Sequence, residues 1–175
     1  MEKIFYTKTS NYSSSEEAVK TLLTRFFGVK EPIILRTETG KPFLSQSENS
    51  PLFFSVSHTQ DLLFIAIADE NVGIDAERLS RTVAFPAIVK KFAEAERSEI
   101  ATKEDFLQHW TVKESAVKWL GGTLAHDLYK LCYARGNVFY GEIALPIRIY
   151  TQIFENHVLS VCSEADFENA ELIAF

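Results

Sequence analysis

The chain has 175 residues, 46% hydrophobic and 24% charged, with a net charge of −6. That length supports one substantial domain, or two small halves sharing a core, without a disulfide or metal staple, and the composition excludes a disordered chain. The acidic balance argues against general attraction to nucleic acid or to an anionic membrane, and the only two cysteines, Cys132 and Cys162, lack CxxC spacing, so neither a zinc site nor a disulfide framework is implied and a reducing compartment is expected.

The first residues, MEKIFYTKTS, lack a basic stretch followed by an apolar run. The longest apolar stretch, Leu62 to Ala68, is too short to span a bilayer, so a cytoplasmic protein is expected. Lys3 to Lys8 alternates apolar and polar residues and predicts a strand. From Glu16 to Phe27, Val19, Leu22, Leu23, Phe26 and Phe27 recur at helical spacing. Ser13 or Ser14 is placed to cap that helix and Gly28 to end it. Pro32 to Leu35 starts a short strand. Thr37 to Ser50 is the longest polar, turn-rich stretch, a loop length that is more often functional than idle, and its one cation is Lys41. Leu52–Val56 and Leu62–Ala68 predict a hairpin whose turn carries Ser57-His58-Thr59-Gln60-Asp61.

In Val72 to Glu77 the strand period of two points Asp75 and Glu77 to one side. Two adjacent carboxylates repel each other; an edge strand showing charge to water or a shared cation would each account for them. Thr82–Lys91 and Ala93–Ala101 predict short helices flanking Phe92. Phe106 to Gly122 predicts a long amphipathic helix with Asp105 at its start, Gly121-Gly122 at its end, and Phe106, Leu107, Trp110, Ala116, Val117 and Leu120 along one stripe. It carries Lys113, Glu114 and Lys118, the last two one turn apart. Taken alone, these two make a surface ion pair contributing about 0.2–0.5 kcal/mol. Strands are then predicted at Leu128–Tyr133, Asn137–Ile143, Ile147–Ile153 and His157–Cys162, with hairpin turns at Arg135-Gly136-Asn137 and Glu155-Asn156.

A long helix followed by strands occurs twice. This predicts an α+β fold of two similar halves with a pseudo-twofold relation, each a long helix packed on a small, mostly antiparallel sheet. The boundary falls near Asn71, giving residues 1–70 and 71–175 within one compact unit, and two halves in one chain favour a monomer.

Three carboxylates (Asp75, Glu77, Glu114) with cations around them suit one ligand class. Mg²⁺ prefers oxygen ligands and is usually held by a few carboxylates together with substrate phosphates, while Lys and His meet the remaining phosphate oxygens. A diphosphate is implied.

Five segments carry a family resemblance: Gly40-Lys41-Pro42, Phe54 to Thr59 (FSVSHT), Val72 to Glu77 (VGIDAE), Phe92 to Glu96 (FAEAE) and Trp110 to Lys118 (WTVKESAVK). In this order they resemble the 4′-phosphopantetheinyl transferases, specifically the single-chain, two-module type that activates peptide synthetases such as surfactin synthetase. The last motif is fairly specific, and five in order make chance a poor explanation.

The resemblance implies that Asp75, Glu77 and Glu114 bind Mg²⁺ against the diphosphate of coenzyme A, in the C-terminal half. Lys118 contacts that diphosphate and Lys113 belongs to the same motif. Ser57, His58 and Lys41 hold the 3′-phosphate end, and Lys20 and Thr21, in a segment similar to the family's basic-Thr-Leu-Leu, touch the nucleotide from the N-terminal half. The implied reaction moves the phosphopantetheine arm of coenzyme A to a serine of an apo acyl or peptidyl carrier protein and releases adenosine 3′,5′-bisphosphate. Glu114, directly or through a metal-bound water, is the candidate base, and Glu96 of the middle motif is the alternative. The alternatives are a catalytically inactive relative that binds coenzyme A or another nucleotide as a sensor, and a purely structural interaction domain.

The chain departs from the family pattern in three places. Ser55 and Thr59 stand where Asn and a second Ser are usual, the basic stretch before the first helix is absent, and the Leu79–Phe92 connection is compact. Lys90, Lys91 and Lys103 are the nearest cations for an acidic carrier, and as isolated features they are ordinary solvated charge. Trp110, on the apolar helix face, is assigned to the core.

Overall fold

A computed structural model describes residues 2–45 and 51–175; residues 46–50, the last part of the predicted Thr37–Ser50 loop, lie outside it. In chain order the elements are strand β1 (Lys3–Lys8), helix α1 (Ser15–Phe27), strands β2 (Ile34–Arg36), β3 (Pro42–Leu44), β4 (Phe53–His58), β5 (Leu62–Ala68) and β6 (Val72–Arg78). Helices α2 (Phe85–Val89), α3 (Glu94–Arg97), α4 (Lys103–Leu120) and α5 (Leu124–Asp127) follow. Strands β7 (Leu131–Ala134), β8 (Asn137–Tyr140), β9 (Ile143–Ala144), β10 (Arg148–Phe154), β11 (His157–Ser163) and β12 (Leu172–Ala174) complete the chain.

The β5 strand organises the first half because every one of its seven residues is buried. Its odd positions, Leu63, Ile65 and Ile67, pack with Ala18, Val19, Leu22 and Leu23 of α1. Its even positions, Leu62, Phe64, Ala66 and Ala68, pack with Val72, Ile74 and Ala76 of β6 and with Leu159 and Val161 of β11. A strand covered on both faces needs no polar alternation, which is why its sequence is a continuous apolar run. It lies in a sheet of order β12-β1-β5-β4, while a second sheet has order β10-β11-β6. On the far side of that second sheet Val112, Ala116 and Val117 of α4 pack with Cys162 of β11 and with Leu131 and Val138 of β7 and β8. The result is an α+β stack: α1, first sheet, second sheet, α4. Two small sheets, β2-β3 and β7-β8-β9, lie beside it.

Local chemistry accounts for the long helices and the turns. The Ser14 hydroxyl accepts from the Glu17 amide at the start of α1, and Gly28 ends it at φ 66°. Arg135-Gly136 and Glu155-Asn156 both have positive φ at both positions, the twist that two-residue hairpins require. Among the described residues no helix is long and apolar enough to cross a membrane.

Several elements depart from the sequence expectation. The α4 helix starts at Lys103, capped by Thr102: the Thr102 hydroxyl accepts from the Asp105 amide at 3.1 Å and the Asp105 carboxylate accepts from the Thr102 amide at 2.7 Å. Asp105 is therefore the reciprocal partner in a capping box, one turn inside the helix. The predicted helices at 82–91 and 93–101 shorten to α2 and α3; in α3 the Glu96 side chain folds back onto the Ala93 amide at 3.0 Å. The strand predicted from Leu128 begins at Leu131, preceded by the four-residue α5, which Asp127 pins by accepting from the Thr123 amide at 2.8 Å. Leu120, assigned to the apolar stripe, is exposed. The β3 strand forms inside the predicted loop and pairs with β2. The β12 strand pairs in parallel with β1, from the opposite end of the chain, and carries no local signal.

Candidate functional site

The geometry of the site begins with a glycine. The β6 strand turns Ile74 and Ala76 into the core between the sheets, so Gly73, Asp75 and Glu77 take the other face, against α4. A Cβ at Gly73 would lie 1.9 Å from the Ser115 carbonyl oxygen and 2.6 Å from the Trp119 nitrogen. Only glycine admits that approach of helix backbone to strand backbone. It brings the middle of α4 over the strand, where Thr111 bonds Ser160 at 2.8 Å beneath it.

Glu114 on α4 thereby meets Asp75 and Glu77 on β6, with one ligand atom from each of the three carboxylates lying within 4.8 Å of the others. The Lys118 ammonium, one turn along α4, donates to Asp75 Oδ1 and to the Ile74 carbonyl, both at 2.8 Å. An ammonium has three donors, so one remains for a ligand. Arg81, four residues beyond Glu77, pairs with the Glu77 carboxylate. Burial, and then the neighbouring Asp75 and Glu77 charges, push the Glu114 carboxyl up to about 8. Glu77 is also raised, by burial first, with Arg81 opposing. Asp75 is buried and its Oδ2 has no hydrogen-bond partner among the described residues. Three carboxylates that repel one another, one of them with an orphaned buried oxygen, match what a hard divalent cation takes.

The other residues singled out from the sequence sit in different surroundings. Glu96 and Lys113 are both fully buried and face each other, with the Lys113 ammonium 3.0 Å from Glu96 Oε1 and 3.1 Å from Oε2. Glu96 Oε1 also accepts from the Tyr133 amide at 3.1 Å and Oε2 from Ala93. The Lys113 ammonium lies 3.8 Å from the centre of the Phe92 ring. The pair ties α3 and β7 to α4.

Ser57 and His58 belong to the end of β4 instead of the turn, and consecutive strand residues face opposite ways. Ser57 is buried against β6, with its hydroxyl donating to Asp75 Oδ1 at 3.0 Å. His58 is exposed and lines a cleft of about 190 Å³ with Val19, Arg36, Pro42 and Phe54. Ser15, Glu16 and Arg36 are common to that cleft and to a wider groove of about 590 Å³ carrying Lys20 and Thr21, so these form one continuous surface. Lys20 pairs there with Glu16 at 2.8 Å. Lys41 is turned elsewhere, donating to Asn71 Oδ1 at 2.7 Å and to the Trp119 carbonyl at 3.3 Å. Burial lowers its ammonium to about 8.

Trp110 packs on Phe106 at 5.6 Å between ring centres. Two arginines at or near the site carry little signal in the sequence. Arg36 ends β2 immediately before the turn-rich stretch, and its place beside that stretch is the one local sign of it. Arg81 stands at helical spacing from Glu77 just past the strand, but its meeting with Trp110, 6.0 Å away, is tertiary.

Comparison with known proteins places the chain in a family. Over 145 residues the chain is 28% identical to the 4′-phosphopantetheinyl transferase gsp of Aneurinibacillus migulanus, covering 76% of this chain and 59% of that protein. It is 31% identical over 116 residues to the L-aminoadipate-semialdehyde dehydrogenase-phosphopantetheinyl transferase of Xenopus laevis, covering 57% of this chain and 38% of that protein. The Homo sapiens protein of the same name is 28% identical over 134 residues, covering 66% and 43% respectively. The chain thus spans between about two fifths and three fifths of these relatives' lengths. Residues 71–162, which contain β6, α4 and all three clustered carboxylates, match the family model of the 4′-phosphopantetheinyl transferase superfamily, and the chain belongs to that superfamily.

Proposed function

We propose that this protein transfers the 4′-phosphopantetheine arm of coenzyme A to a serine hydroxyl of an apo acyl or peptidyl carrier protein and releases adenosine 3′,5′-bisphosphate. The observation that carries the reading is the meeting of Asp75, Glu77 and Glu114 beside Lys118. These three carboxylates would hold Mg²⁺, which when bound neutralises the diphosphate and fixes its orientation. Lys118 offers its free N–H to a diphosphate oxygen.

In the transfer, the serine oxygen forms a bond to the β-phosphorus, the bond from that phosphorus to the bridging oxygen breaks, and the bisphosphate leaves. The serine proton passes to a carboxylate. Of Glu114 and Glu96, Glu114 is the better suited to accept it. Glu114 stands in the carboxylate cluster beside Lys118, whereas both oxygens of Glu96 are committed to buried partners. On the nucleotide side, His58, Arg36, Lys20 and Thr21 share one surface that offers two basic side chains and a hydroxyl to the 3′-phosphate end. Lys41, engaged with Asn71 and Trp119, is the less suited of the expected contacts.

The same reading takes residues 1–70 and 71–175 as two related halves, supported by the recurrence of one long helix packed on one main sheet, the first sheet taking its edge strand β12 from the end of the chain. The free thiols Cys132 and Cys162 fit work in a reducing cytoplasm.

The test is to mix the protein with coenzyme A, Mg²⁺ and several apo carriers, acyl and peptidyl, and to weigh the carriers by intact mass spectrometry. Added phosphopantetheine is expected on at least one, and none with Glu114→Ala or Asp75→Ala, both of which should fold. Unmodified carriers throughout, or near wild-type transfer by either variant, would sink the assignment.

A further inference from the structure

We propose that Ser57 is a positioning residue for cation binding: its hydroxyl fixes the Asp75 carboxylate so that Oδ2 is left to the cation. This rests on the metal assignment above. Two serines of β4 bridge the gap to β6, where the two main sheets meet. The Ser55 hydroxyl accepts from the Ile74 amide at 3.1 Å, and the Ser57 hydroxyl accepts from the Ala76 amide at 3.1 Å. They pin the same strand edge by the same kind of bond, but they differ in where the hydroxyl hydrogen goes. In Ser57 it is donated to Asp75 Oδ1 at 3.0 Å.

Asp75 Oδ1 thus receives two donors, Ser57 at 3.0 Å and Lys118 at 2.8 Å, while the buried Oδ2 receives none among the described residues. A carboxylate held by one oxygen between two fixed donors has lost its rotation. Ser57 is itself buried and is paired with the fully buried Phe64 of β5, so its own position is over-determined. Outer-sphere groups of this kind orient metal ligands, and their removal typically weakens metal binding about 10- to 100-fold. Strand geometry also separates Ser57 from the nucleotide surface: His58, the next residue, faces the cleft of α1 and β2, and Ser57 faces away from it.

The experiment titrates Mn²⁺ into the full chain without coenzyme A, following binding by calorimetry and by the electron paramagnetic resonance of free Mn²⁺. Four proteins are compared: wild type, Ser57→Ala, Ser55→Ala and Ser57→Thr, with thermal melts alongside. Ser55→Ala loses one inter-sheet bond without touching a carboxylate, so it reports what a purely structural loss does. The expected result is Mn²⁺ affinity at least tenfold weaker in Ser57→Ala, near wild type in Ser55→Ala despite a comparable fall in melting temperature, and restored in Ser57→Thr, which keeps the hydroxyl.

Equal affinities in Ser57→Ala and Ser55→Ala would overturn the inference. So would a Ser57→Ala protein with unchanged Mn²⁺ binding that had lost its preference for coenzyme A over dephospho-coenzyme A, because Ser57 would then serve the nucleotide. If Ser57→Ala does not fold, the nearly isosteric Ser57→Cys takes its place, with the same tenfold criterion. Wild type that binds no Mn²⁺ overturns the metal assignment and this inference together. Absence of carrier transfer with the expected Mn²⁺ pattern would instead sink the proposed reaction and leave Ser57 in its role.

Discussion

Lys113 and Glu114 are neighbours on α4, yet the helix delivers them to opposite electrostatic settings. Lys113 enters the core and finds Glu96, whose two oxygens also take the Ala93 and Tyr133 amides, so every charge there is met by a partner of this chain. Glu114 enters a cluster with Asp75 and Glu77 where like charges crowd, one buried oxygen has no partner among the described residues, and its own carboxyl is pushed up to about 8. A buried charge network satisfied from within holds a fold in register, whereas one left unsatisfied depends on something from outside. The first is read as architecture and the second as a site, although their residue types are the same.

The comparison is broken most severely by removing one partner of the satisfied pair. Lys113→Met should cost about 3–5 kcal/mol in urea unfolding, because it leaves Glu96 as an uncompensated buried charge. The double variant Glu96→Gln with Lys113→Met should recover most of that loss; if it does not, packing and not charge explains the effect. Next in size is the response of the unsatisfied cluster to a cation. Mg²⁺ at about 100 times its Kd should raise stability by about 2.7 kcal/mol in wild type, and by much less in Asp75→Asn, as read from denaturant midpoints.

A third difference is the pH dependence. The Glu114 carboxyl is raised in the folded protein above its ordinary 4.5, so between that value and about 8 the folded state binds more protons than the unfolded chain. Stability is then highest below the ordinary value and falls as pH rises toward 8, by up to about 1.4 kcal/mol per pH unit for each proton. Glu77, raised as well, adds in the same sense. Glu114→Gln should flatten this slope. A melt series in which the variant and wild type fall in parallel would assign the slope to other groups. The smallest effect belongs to Arg81: it pairs with Glu77 at the edge of the cluster, where solvent screens it, and Arg81→Ala should change stability by less than about 1 kcal/mol while raising the Glu77 carboxyl further.

Much of the architecture could be read locally. Helical spacing of Val19, Leu22 and Leu23, the Ser14 cap and Gly28 delimited α1 to within a residue. The apolar run Leu62–Ala68 and the turns at Arg135-Gly136 and Glu155-Asn156 did the same for β5 and two hairpins. The four-residue α5 and the three-residue β12 escaped, since they are about as short as the periods by which sequence reveals structure, and β12 exists through a long-range partner, β1.

At the site, sequence alone determined which residues were chemically able to act: the two-residue period put Asp75 and Glu77 on one side of a strand, and the helical turn put Glu114 and Lys118 on one side of a helix. Tertiary structure decided who meets whom. Gly73 lets α4 close on β6 and so joins the three carboxylates, while Glu96 and Lys113, drawn from motifs of the same appearance, find each other inside the core. Tertiary structure also divided Ser57 from His58, sending one to Asp75 and the other to the Arg36 cleft. The reason is physical: periodicity states the face a side chain takes on its own element, and only the packing of elements states what that face is pressed against.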